Sequence, residues 1–64
     1  MHEILILITL NGEPSGTIEK TFEGTREEAE AEIAATCQRN RENNPQHNLS
    51  FDITLNGEPY GPVP

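Results

Sequence analysis

Sixty-four residues allow one domain with one small core, near the lower limit for folding without a staple. Eleven Asp/Glu against four Lys/Arg give a net charge of −7, a surface that repels nucleic acid and anionic membrane and attracts basic proteins. The lone Cys37 excludes an intramolecular disulfide, and one Cys with two His is a poor start for a four-ligand zinc site. No metal and no cofactor are therefore expected.

The stretch "HEILILITL" opens the chain. It alternates Ile4, Ile6, Ile8 and Leu10 on one face with Leu5, Leu7 and Thr9 on the other, and it ends at Asn11-Gly12. That pattern predicts a strand, and apolar residues on both faces predict a central one. The run Ile4 to Ile8 is too short for a signal-peptide core and follows Glu3 rather than basic residues, and nothing approaches a membrane span. A cytoplasmic location is expected.

"TIEKTFE" predicts a second strand, with Ile18 and Phe22 inward and Thr17, Glu19, Thr21 and Glu23 outward. Lys20 points inward between Ile18 and Phe22, as edge strands often arrange. The intervening "NGEPSG" reads as a hairpin loop longer than the minimal turn.

"TREEAEAEIAATCQRNREN" predicts a helix ending between Gln38 and Glu42. Thr25 and Glu28 have capping-box spacing, acids fill the first turns, and Arg39 and Arg41 lie near the far end. Ala29, Ile33, Thr36 and Cys37 form a narrow stripe of mostly small residues facing the sheet, whereas Glu28, Glu32 and Arg39 point away. Cys37 is then an inert core thiol.

Pro45 forbids continuation of the helix. "LSFDITL" places Leu49, Phe51, Ile53 and Leu55 inward against Ser50, Asp52 and Thr54 outward, which makes a third strand. Residues 56–64, rich in Pro and Gly, read as an irregular tail. The expected fold is α+β: a single ββαβ domain over 1–64, with a three-stranded antiparallel sheet in the order 2-1-3 and one helix packed on one face.

Positions 8–16, "ITLNGEPSG", and positions 53–61, "ITLNGEPYG", agree at eight of nine residues. Antiparallel strands put the two copies at opposite poles of the sheet, which disfavours a single site built from both. Convergent strand-ending chemistry or an old hairpin duplication accounts for the repeat, since Asn and Gly both tolerate positive φ.

No nucleophile–base set and no phosphate-cradling glycine loop is visible, and His2 and His47 read as solvated. A small sheet with one helix offers no deep cleft to raise a carboxyl pKa, so catalysis is not expected. Two surfaces remain as candidates for binding. One is the acidic helix ridge of Glu27, Glu28, Glu30 and Glu32, continued back to Glu23. The other is the uncovered sheet face, where Leu5 and Leu7 are ringed by Glu19, Glu23, Asp52 and hydroxyl side chains, with Glu3 at one end, like an interface core with a polar rim.

The segment "TFEGTREEAEAEIAA" with its preceding hairpin resembles the hairpin-to-helix junction of the immunoglobulin-binding domains of proteins G and L. Their fourth strand is not expected here, so their binding activity does not carry over. In size, acidity and plan the chain is similar to the small anti-CRISPR proteins of phages and mobile elements, in particular inhibitors of type I interference complexes, subtype I-C among them. That resemblance implies a non-catalytic DNA mimic in the cytoplasm of a bacterial host cell. Its partner would be a basic protein surface on a subunit of a CRISPR interference complex, with no direct contact to nucleic acid or membrane. The alternative is a small adaptor or homo-oligomeric module, monomer or weak homodimer, that uses the leucine-bearing sheet face.

Overall fold

The computed structural model describes residues 1–63, with side chains described for residues 1–60. Strands β1 (His2–Leu10) and β2 (Glu13–Phe22) form one hairpin, helix α1 (Arg26–Asn43) follows, and β3 (Leu49–Leu55) and β4 (Glu58–Val63) form a second hairpin. One sheet results, in the order β2-β1-β3-β4, with every neighbouring pair antiparallel. The α+β class, the central place of β1 and the helix on one face agree with expectation. The sheet, however, has four strands rather than three, and the stretch read as an irregular tail is a turn followed by β4. Pro64 lies outside the described residues.

Turn chemistry explains the difference. Asn11 and Gly12 have φ of 51° and 88°, and Asn56 and Gly57 have φ of 54° and 79°. Two consecutive positive φ values mark the two-residue turn whose twist matches that of the flanking strands. The first loop is therefore minimal, and β2 begins at Glu13 instead of Thr17. Downstream of each turn the pairing skips one residue. Ile8 pairs with Gly16 and Thr9 with Pro14, leaving Ser15 as a bulge; Ile53 pairs with Gly61 and Thr54 with Pro59, leaving Tyr60. The second bulge puts Pro59 and Pro62 in the same phase of the ladder, opposite Thr54 and Asp52. On an edge strand that phase can turn toward solvent, where a missing N–H costs nothing.

The repeat is thus one structural unit used twice. Asn11 N–H donates to Asn48 C=O at 2.8 Å, and Asn56 N–H donates to Glu3 C=O at 2.8 Å. In return Asn48 N–H donates to Asn11 Oδ1 at 3.0 Å, and Glu3 N–H to Asn56 Oδ1 at 2.8 Å. The side-chain amides of Asn11 and Asn56 meet Nδ1 of His47 and His2. The correspondence therefore reaches back to His2 and His47, giving two matching hairpins related by a local two-fold axis between Leu7 and Asp52.

The core lies between the sheet and α1. Ile4, Ile6, Leu49, Phe51, Ile53 and Leu55 pack against Ile33 and Cys37, with Ile8, Leu10, Ile18 and Phe22 at the margin. Helix residues Ala29, Ile33, Thr36 and Cys37 are the buried stripe, as the periodicity predicts. Thr25 caps the helix by accepting from Glu28 N–H at 3.2 Å, and the Glu28 carboxylate accepts from Thr25 N–H at 2.8 Å. Gly24, with φ of 144°, is required beside this box, because a Cβ there would stand 2.8 Å from the Glu28 carboxylate.

Candidate protein-binding face

Strand alternation divides the side chains of β1 between the two sides of the sheet. Ile4 and Ile6 go to the core, and Glu3, Leu5, Leu7 and Thr9 go to the side without a helix. Their partners on that side follow from the register: Thr21, Glu19 and Thr17 on β2, and Thr54, Asp52 and Ser50 on β3. Leu5 is half-buried among its neighbours, and Leu7 is 43% exposed.

Each leucine has an acid on one flank and a threonine on the other. Leu5 stands between Glu19 of β2 and Thr54 of β3; Leu7 stands between Thr17 of β2 and Asp52 of β3. A shallow depression beside Leu5 is bordered by Glu3, Glu19, Thr21 and Thr54. A second one beside Leu7 is bordered by Thr9, Pro14, Ser15, Thr17 and Asp52. The four partner-binding candidates Leu5, Leu7, Glu19 and Asp52 therefore share one surface with Glu3 at its end, whereas Glu23, read on the same rim, lies beyond the end of β2 at Phe22.

None of the four basic residues presents its charged group on this surface: Lys20 borders the depression beside Leu5, but its ammonium is held by Glu32 and Thr36 of α1. Lys20 is in register with Ile4 on the helix side, and Arg26, Arg39 and Arg41 belong to α1. Arg41 lies over the Phe51 ring with 5.2 Å between guanidinium carbon and ring centre. The charge is segregated: acids alone on the open face, all the bases on the other.

The helix ridge is organised differently. Glu32, expected to point away from the sheet, instead takes a hydrogen bond and ion pair from Lys20 and is half-buried. The Lys20 ammonium also donates to Thr36 Oγ1 at 2.9 Å, and that hydroxyl donates to the Glu32 carbonyl at 2.9 Å. The reason is reach: an inward Lys on an edge strand must find an acceptor, and α1 supplies one at its margin. The hydrogen bond from Lys20, then its charge, hold the Glu32 carboxyl below its ordinary pKa against the opposing effect of burial. Glu30 pairs with Arg26 at 3.2 Å, and Glu28 is occupied by the cap. Of the ridge set, Glu23 and Glu27 are left as exposed acids with no ion pair among the described residues.

Cys37 is buried, and burial pushes its thiol pKa up, which favours the inert neutral form. Among the described residues no three His, Cys, Asp or Glu side chains gather where they could hold a metal ion. No described helix is long and apolar enough to cross a membrane. The two His–Asn pairs at opposite poles escaped the sequence reading. Their signal was available in the equal spacing of His2 from Asn11 and of His47 from Asn56. No protein-family model, no curated protein and no solved structure matches this chain.

Proposed function

We propose that the protein is a non-catalytic inhibitor that docks its open sheet face on a basic, nucleic-acid-recognising protein surface. The observation that carries this reading is the charge segregation around Leu5 and Leu7: Glu3, Glu19 and Asp52 on the face, and no ammonium or guanidinium group, that of Lys20 being held on the helix side. Fixed carboxylates at that rim would occupy the Lys and Arg that otherwise meet phosphate, and the leucines would supply the desolvated centre. The helix ridge is the weaker candidate, because Glu28, Glu30 and Glu32 already have partners within the chain. The partner class is the one its resemblance to anti-CRISPR proteins implies, a subunit of a type I interference complex in the bacterial cytoplasm. Self-association through the same face would oppose acid to acid with no base between them.

Competition tests the proposal. Labelled target DNA bound by a type I interference complex should be displaced by the protein, and displacement should weaken steeply as salt rises. The protein alone should leave the DNA unbound. No displacement, or displacement indifferent to salt, refutes the reading.

A further inference from the structure

We infer that what the open face receives is a basic amphipathic α-helix of the partner, lying along β1 and covering β2, β1 and β3 on the side opposite α1. This rests on the docking reading above and names the shape of the partner. The apolar part of the face is a single-strand stripe. Leu5 and Leu7 are two residues apart on β1, so they stand roughly 7 Å apart along the strand. Apolar residues three or four apart on a helix have a similar separation, about 5–6 Å. A second sheet would need apolar side chains on several neighbouring strands, and here the strands on either side carry acids and hydroxyls.

Width makes the same choice. Of the four strands, the three that carry the leucines and their acids, β2, β1 and β3, span about 10 Å, which matches the diameter of one helix with its side chains, about 10–12 Å. The acids lie on both sides of the stripe, Glu19 on β2 and Asp52 on β3. Lys and Arg flanking the apolar stripe of a helix would meet one acid on each side. An extended peptide added to a sheet edge fits less well. Both edge strands carry proline, Pro14 in β2 and Pro59 in β4, and Lys20 points inward. A second copy of this chain would place like charges against each other.

The test uses the whole protein and a synthetic peptide of about 18 residues, long enough to run most of the length of β1. The peptide carries leucine at helical spacing with arginine on both flanks, and a control has the same composition scrambled to destroy the periodicity. Fluorescence anisotropy should show the periodic peptide binding at least about tenfold tighter, the scale of one leucine properly buried, and circular dichroism should show it gaining helix on binding. Leu7→Asp separates this from attraction by charge alone. It adds a negative charge, so it should tighten a purely electrostatic complex and weaken a helix seated on the leucines. Leu7→Thr, which keeps strand propensity and net charge, should weaken binding as well, with thermal melts checking that both variants fold. Equal binding of the scrambled peptide, or tighter binding by Leu7→Asp, overturns the inference. Because no interference complex is present in this assay, failure here leaves DNA competition to stand or fall separately.

Discussion

Lys20 and Glu32 tie the edge strand β2 to the helix by an ion pair, with Thr36 hydrogen-bonded to both. The pair makes stability depend on acid. The folded protein favours the Glu32 carboxylate, so its pKa lies below the unfolded value. The contribution is fully present above the unfolded carboxylate pKa and is lost as pH falls through the folded one. Glu32→Gln should therefore flatten the acid limb of the stability profile and leave the profile between neutral pH and the ordinary carboxylate range nearly parallel to the parent. Denaturant midpoints across pH check this; an unchanged acid limb would mean the pair is not formed in solution.

Asn11 and Asn56 each hold a positive φ and each accept a backbone N–H from the start of the strand paired with their own. Replacement by Ala removes the hydrogen bond and forces a Cβ-bearing residue without Asn's local compensation into the left-handed region. The cost should be about 1–3 kcal/mol at either position. Replacement by Gly keeps the conformation and removes only the side-chain bond, so it should cost about 0.5–1.5 kcal/mol. The same Ala-to-Gly difference at both turns, read from urea unfolding, is the expectation for a duplicated hairpin. A large difference between the turns would show that the two copies do different work.

Most of the fold was legible from side-chain period. The alternation from Ile4 to Leu10 identified a central strand, and the Thr25–Glu28 spacing and the Ala29-to-Cys37 stripe located the helix start and its buried face. What escaped was β4, because Pro59 and Pro62 read as breakers. They are tolerated only through two facts that lie outside the local sequence, the edge position of the strand and the bulge at Tyr60 that keeps both prolines in one phase. The repeat held the missing information: if "ITLNGEP" ends one strand and begins the next at residue 13, the same heptapeptide at 53–59 should do so too. In the candidate site, Leu5, Leu7, Glu19 and Asp52 followed from strand alternation. Glu32 did not, since the angle of a helical position says nothing about how far a lysine on the neighbouring strand can reach.

Ile33 is the only large aliphatic side chain on the buried stripe of α1. Ile33→Ala should cost about 2–5 kcal/mol, a large share of the roughly 3–10 kcal/mol that holds a domain of this size together. The helix should loosen with it, lowering the protection of its amides from hydrogen exchange. A loss below ~0.5 kcal/mol would mean that α1 is held by its ends rather than by its core face.

Charge neutralisation on two surfaces locates the docking site. Glu19→Gln with Asp52→Asn removes two negative charges from the open face, and Glu27→Gln with Glu30→Gln removes two from the helix. Both double variants change the net charge equally, so long-range attraction to a basic partner falls alike, and any difference reports contact. Exposed ion pairs contribute about 0.2–1 kcal/mol each, so losing two on the docking face should weaken inhibition by a few-fold to tens of fold. The helix pair should cause only the smaller loss due to net charge, and that loss should vanish as salt screens it. Glu19 and Asp52 are exposed opposite leucines rather than buried, so the open-face variant should melt at nearly the parent temperature. Equal losses from the two pairs would mean that charge alone drives association. A larger loss from the helix pair would move the docking surface to α1.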